Sequence, residues 1–273
     1  MRVCGSGEPF SWFRRFFIRF RSDKKENAPP VANRKRVMSA MKTVETRLYL
    51  IRHGQAVVNV SGVLGGPKGD TGLTALGRAQ AERLRERLAA SAIRADVLLA
   101  SSLPRARETA EIIAPGLGLP VQLDDDLHEI RVGADADGLS RDEYVRRFGW
   151  MDVARYPHTP IDPGGESWAR FLLRVAETLD RIEREHAGKS VVVVCHGGVI
   201  EASFVHFFGM SHHAVPPARF HTSNTSLTLW THARREENLH WRLDFYNDAH
   251  HLDGMDAATV TPLAIPIAAP DRA

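Results

Sequence analysis

Two apolar runs far apart in the chain end in the same grammar. Leu48-Tyr-Leu-Ile51 leads into Arg52-His53-Gly54, and Ser190-Val-Val-Val-Val-Cys195 leads into His196-Gly197-Gly198. Unbroken apolar runs of this length, β-branched in the second case, are the pattern of strands buried on both faces. Such strands form parallel sheets covered by helices, and ligands bind beyond their carboxyl ends. If the two strands are neighbours, His53 and His196 meet at one edge of the sheet. Gly54 stops the first run and is expected to let the backbone approach a ligand closely.

The stretches between these runs alternate in kind. Thr46 to Ile51 reads as a strand, and Val60 to Gly72, with five glycines and a proline, as a loop. Leu73 to Ala89 has a helical face of Leu76, Ala79, Leu84 and Leu88, with Thr74 as its cap. Asp96 to Ser101 is a second buried strand, and Leu103 to Ile113 a helix opened by Pro104. A short strand follows at Val121 to Leu123. Residues 130 to 165 hold five Gly, three Pro and five Arg around a helical piece at Asp142 to Phe148. An irregular excursion of this length is expected to be a lid. Helices are expected at Glu166 to His186 and at Val199 to Phe208. Strands at Thr225 to Thr231 and Trp241 to Tyr246 form an antiparallel pair at a sheet edge. Strands alternating with helices give an α/β class: a three-layer sandwich, its mostly parallel central sheet flanked by helices.

The net charge of +3 hides an asymmetry. Residues 1 to 42 carry eleven Lys and Arg against three Asp and Glu, a net of +8, which leaves −5 for the rest. The basic pI of about 9.0 therefore describes the extension and not the body, and no nucleic-acid partner is read from it. Within that extension, Phe10-Ser-Trp-Phe-Arg-Arg-Phe-Phe-Ile-Arg-Phe-Arg21 would place aromatics on one helical face and Arg15 and Arg19 opposite. That suits a membrane-surface or targeting segment; the composition of 22 to 36 suits a disordered extension or an upstream start. The organisation expected is an extension at 1–44, a domain at 45–253 with its lid at about 130–165, and a loose tail at 254–273. No apolar run reaches the roughly 20 residues of a membrane span, so no stable membrane association is expected. Cys4 and Cys195 imply no disulfide framework, which fits a reducing, cytoplasmic setting.

A guanidinium beside an imidazole at a strand end suits a phosphoryl group. Arg grips the oxygens as a planar fork, and neutral His can attack phosphorus. The two histidines could instead bind a metal, but no third ligand follows at ligand spacing, and Arg52 would repel a cation. Arg105 lies in the first turn of a helix, where partial positive charge makes another cation out of place unless an anion is near. Arg107 reads as a solvated surface residue. Glu129, flanked by Leu127 and Ile130, could protonate a leaving alcohol.

These pieces together resemble the histidine phosphatase superfamily, also called phosphoglycerate mutase-like. The resemblance rests on Leu50-Ile-Arg-His-Gly-Gln-Ala-Val-Val-Asn59, Leu73-Thr-Ala-Leu-Gly77, Ser101-Ser-Leu-Pro-Arg-Ala106, Leu127-His-Glu129, Gly164-Gly-Glu-Ser167 and Val194-Cys-His-Gly-Gly198, in that order over roughly residues 46 to 250. It implies that His53 becomes phosphohistidine and that Arg52, Arg105 and His196 form the phosphate pocket. Asn59 and backbone N–H groups near Gly197 would assist, with Glu129 as proton donor. It also implies no metal and no organic cofactor, since Arg and His supply the positive charge. Ala56 stands where the family commonly has Thr or Ser, so one hydroxyl contact is expected to be missing. Gly65 and Gly66 are candidate backbone donors.

Three functions remain in view. The first is a phosphatase acting on small phosphate monoesters of sugar phosphate or phosphoglycerate type. A phosphoglycerate mutase would need a more extensive cap to shield phosphohistidine from water than the segment from Glu129 to His196 offers. A non-catalytic module binding a phosphorylated ligand would not need every core position intact. Asn224-Thr-Ser-Leu and Trp241 to Leu252 resemble bacterial broad-specificity and sugar-phosphoglycerate phosphatases. The partner expected is a small-molecule phosphate ester, and a homodimer is left open.

Overall fold

β1 (Glu45–Arg52) is the strand on which the rest is assembled. Its side chains alternate, Leu48 and Leu50 into one core, Tyr49 and Ile51 into another, and all four are buried. The computed structural model describes residues 45–216, 218–235 and 238–255. The extension at 1–44 and nearly all of the tail at 254–273 lie outside the described residues.

After β1 come α1 (Val57–Ser61), α2 (Ala75–Ala90), β2 (Val97–Ser101), α3 (Pro104–Leu117) and β3 (Val121–Asp124). Then follow α4 (Arg141–Phe148), α5 (Trp168–Glu185), β4 (Ser190–Cys195), α6 (Gly197–Phe207), β5 (Leu227–Arg235) and β6 (Asn238–Asp248). The sheet order is β3-β2-β4-β1-β5-β6. The first four of these run parallel, and β5 and β6 add an antiparallel margin. Leu84 and Leu88 of α2 and Ala106, Ala110 and Ile113 of α3 cover one face. Trp168, Phe171, Leu179 and Ile182 of α5, with Val199 and Phe204 of α6, cover the other. The three-layer α/β expectation therefore holds.

Most element ends shift by one or two residues. Three differences are larger, the first being α3, which runs to Leu117, four residues past its expected end at Ile113. The antiparallel strands are longer than their apolar cores, because paired backbone continues past the buried face. The expected loop after β1 begins with the single-turn helix α1, which five residues are too few to signal by periodicity.

The excursion at 130–165 is fastened to the glycine-rich loop rather than hanging over it. Asp137 accepts backbone N–H groups from Gly66 (2.8 Å), Lys68 (2.7 Å) and Gly69 (2.8 Å). Leu64 and Gly138 add main-chain bonds, Leu64 N–H to Leu139 O and Gly138 N–H to Leu64 O. Hydrogen bonds to a charged acceptor contribute more than neutral ones, and losing the acceptor strands the donors. Asp137→Ala should therefore cost about 2–3 kcal/mol. That corresponds to a fall in thermal midpoint on the order of 5–10 °C for a domain of this size, with Asp137→Asn intermediate. Calorimetry checks this; an unchanged midpoint for the alanine variant would mean that the carboxylate does not hold the loop.

Candidate active site

The register of β1 against β4 pairs Arg52 with Cys195, so the next residues, His53 and His196, fall side by side beyond the strand ends. Their ring centroids are 5.2 Å apart and both side chains are buried. His53 Nδ1 lies 2.7 Å from Gly54 O, a carbonyl that can only accept, so Nδ1 carries the proton. The lone pair is then on Nε2, toward which Arg105 Nε–H points at 3.2 Å. Burial, then the Arg105 and Arg52 charges, push the His53 pKa well below the ordinary histidine value, so the ring is neutral near pH 7.

Gly54 has a different duty from the one expected. A Cβ there would lie 2.5 Å from Gly77 O, and one on Gly77 would lie 2.0 Å from Gln55 O. The close approach is between the β1 exit and the start of α2, not between backbone and ligand. Thr74 caps α2 through Gly77 N–H, as the sequence suggests.

A downstream segment clasps the Arg-His pair. Arg52 donates from its guanidinium to Thr222 O. The Asn224 side chain donates to His53 O at 2.9 Å, and Thr225 N–H donates to Arg52 O at 2.9 Å. Thr225 takes a left-handed φ of 56°, a strained setting for a β-branched residue. Burial lowers the Arg52 pKa to about 10 while the Glu129 charge raises it, which leaves the guanidinium charged near neutrality.

Arg105 has a resident anion. Asp70 Oδ2 accepts both its backbone N–H (3.2 Å) and its guanidinium (2.8 Å), and the Asp70 side chain is fully buried. Gly65 takes part as an acceptor of Arg105 through its carbonyl, while the Gly66 N–H is committed to Asp137. Arg107 is exposed beside Glu111, as expected.

His196 Nε2 lies 2.8 Å from Ser101 Oγ. Ser101 Oγ also accepts the Leu103 N–H. The His196 Nδ1 is buried and has no hydrogen-bond partner among the described residues. The His196 pKa is pushed well below the usual range by burial, then by Arg105 and His53.

Glu129 enters from the loop after β3. Oε2 accepts the Gly198 N–H at 2.9 Å and Oε1 the Ile130 N–H at 3.0 Å. A Cβ at position 198 would lie 2.0 Å from Oε1, so the glycine makes room for this carboxyl. The N–H next to Gly197 is thus taken by Glu129. Leu127 turns away into the core. The Gly164-Gly-Glu-Ser167 stretch supports this loop from behind: Glu166 pairs with Arg174 through two bonds of 2.7 Å, and Arg174 donates to His128 O and Glu129 O.

Arg52, His53, Asn59, Arg105, Glu129 and Gly197 line one cavity of about 380 Å³. Asn59 turns its carbonyl oxygen to the Ala56 N–H at 2.9 Å, which leaves its amide NH₂ as the group it can offer the cavity. His196 is not among the lining residues; it stands behind His53. Ala56 is wholly buried in the turn. Among the described residues, no group of three or more His, Cys, Asp or Glu is placed to hold a metal ion, and no helix is long and apolar enough to cross a membrane. Asp70 and Thr222 were not singled out from sequence, since neither sits in a periodic pattern, and Ser101 and Asn224 entered only as the first residues of family-like stretches with no role assigned.

Two imidazoles and two guanidiniums thus converge beyond the carboxyl ends of the parallel strands, and residues 48–248 match the histidine phosphatase superfamily (branch 1). The chain belongs to that superfamily. It is 33% identical over 198 residues to a 2,3-bisphosphoglycerate-dependent phosphoglycerate mutase of Methylobacterium, covering 69% of this chain and 88% of that protein. It is 29% identical over 214 residues to a metal-independent phosphoserine phosphatase of Arabidopsis thaliana, covering 77% and 84%. The native structure of a mycobacterial glucosyl-3-phosphoglycerate phosphatase superposes with a TM-score of 0.60 at 27% identity, covering 75% of this chain and 99% of that one.

Proposed function

We propose that this protein is a metal-independent phosphatase that hydrolyses small phosphate monoesters through a phosphohistidine on His53. The observation that carries the reading is the state of that ring: neutral, its proton fixed on Nδ1 by Gly54 O, and its Nε2 lone pair facing Arg105. In the first step Nε2 attacks phosphorus, the bond to the ester oxygen breaks, and Glu129 gives that oxygen a proton. In the second, water attacks phosphorus, Glu129 takes the water's proton, and the phosphorus–nitrogen bond breaks with its electron pair returning to Nε2 as inorganic phosphate leaves. Arg52 and Arg105 hold the equatorial oxygens as charge develops. His196, its ring 5.2 Å from that of His53, backs the nucleophile from outside the cavity lining.

Two relatives with different names, a mutase and a phosphatase, make the parallel assay necessary. The test measures phosphate release from a panel of monoesters, interconversion of phosphoglycerates, and radiolabel trapped on the chain by acid quench. Label on His53 with release of phosphate supports the reading; interconversion that outruns release would replace it with the mutase. Activity should also survive exhaustive chelation, because guanidiniums supply the positive charge at the site. Loss of turnover in EDTA, restored by zinc or magnesium, would reject that part of the mechanism.

A further inference from the structure

The cavity changes character away from His53. Its inner end carries Arg52, Arg105 and Glu129. Most of the remaining lining is apolar: Val58, Val63 and Leu64 come from α1 and the glycine-rich loop, and Val132, Met151 and Val153 from the lid. Trp150 and Val60 also line it and are 39% and 55% exposed, large apolar side chains that the fold leaves in contact with solvent. Single exposed apolar residues are ordinary, but two at the mouth of one cavity mark a binding surface.

Polar side chains outside the phosphate end are few. Asn59, Arg141 and Tyr144 are those that line the cavity. The Asn59 carbonyl is taken by Ala56 N–H, and the Tyr144 hydroxyl donates to Ile161 O at 2.6 Å. The Arg141 guanidinium lies 5.7 Å over the Trp150 ring, which makes an aromatic shelf with one charged face. A sugar or a glycerate would find only the Asn59 NH₂ and the Arg141 guanidinium to meet its hydroxyls or carboxylate, and its remaining polar groups would lose water against apolar side chains.

From this lining, and resting on the phosphatase reading above, we infer that the preferred substrates are phosphate monoesters of apolar, ring-bearing alcohols, aryl-alkyl phosphates as a class. The phosphoryl group enters toward Arg52 and Arg105, and the ring lies between the loop and the lid, against Trp150 and Met151. This departs from the sugar-phosphate expectation drawn from the sequence, because the residues that decide it, on the loop and the lid, lie outside the stretches that carried that expectation.

The experiment compares kcat/KM for 2-naphthylmethyl phosphate and benzyl phosphate with glycerol 3-phosphate and 3-phosphoglycerate. All four release an alkoxide, so the leaving oxygens are alike and the contrast reports the rest of the molecule. The aryl-alkyl esters should be favoured by at least about tenfold, the order of discrimination an apolar pocket gives. In Val132→Asn and Met151→Gln, the ratio of kcat/KM for 2-naphthylmethyl phosphate to that for glycerol 3-phosphate should fall about tenfold, through KM. Equal or greater kcat/KM for the polar esters in the unaltered protein would overturn the inference while leaving the phosphatase reading in place. Turnover of none of the four, with no label on His53, would overturn both.

Discussion

Replacing His53 with Ala should cut phosphate release by at least about 10³-fold while the protein stays folded, since loss of a nucleophile removes the covalent route altogether. Within the site His53 alone combines a proton fixed on one nitrogen with a lone pair aimed at a guanidinium. Its companion cannot replace it: His196 Nε2 is engaged with Ser101, and His196 does not line the cavity. The ring should stay competent as pH falls through 6.5, because burial and two guanidiniums disfavour its charged form and carry its titration to lower pH. Thermal unfolding confirms that the variant is folded, and the assay is phosphate release. Retention of more than a few per cent of the wild-type rate would remove His53 from the nucleophile's role.

Glu129→Gln should slow alkyl phosphates by about 10²- to 10⁴-fold and p-nitrophenyl phosphate far less. Gln keeps the shape and can still accept the Gly198 N–H through its carbonyl oxygen, while its NH₂ then faces the Ile130 N–H, so thermal unfolding is measured beside the rates. What it loses is the carboxyl proton. An alkoxide needs that proton in the transition state, whereas nitrophenolate leaves without it. Dephosphorylation of His53 can also use the carboxylate as base, so single-turnover rates, which report the first step alone, are the measurement. Equal losses for both ester classes would make Glu129 a binding group. The lid carboxylates are poor substitutes. Asp137 is committed to three backbone N–H groups, and Asp135 is exposed and does not line the cavity.

The catalytic face was legible in the sequence where local chemistry writes it. Apolar runs mark β1 and β4 as buried strands, and matched His-Gly endings bring two imidazoles together, since strand register does the rest. Thr74 and Pro104 announce helix starts by capping and by a missing N–H. The residues that close the site leave no such trace. Asp70 sits in a glycine-rich loop that any composition-based reading leaves unassigned, yet it is the anion that makes Arg105 tolerable at a helix start. Gly54 was noted for the wrong neighbour: a glycine says that something is close, not what. Asn224 and Thr222 reach back to β1 across about 170 residues, and no periodicity encodes a contact of that range.

That long reach sets the order in which the enzyme can come into being during synthesis. A nascent chain that has emerged through Phe207 already holds both histidines, both guanidiniums and Glu129. Its β1 still lacks β5, the partner on one side, and lacks the carbonyl of Thr222 and the side chain of Asn224 that seat Arg52 and His53. Until residues 222 to 235 arrive, the strand that leads into His53 is an open sheet edge, apolar on both faces and ready to pair with another chain. A message cut short before Leu227 would therefore yield an adhesive product in which β1 lacks its β5 partner, although Arg52 and His53 had both been translated.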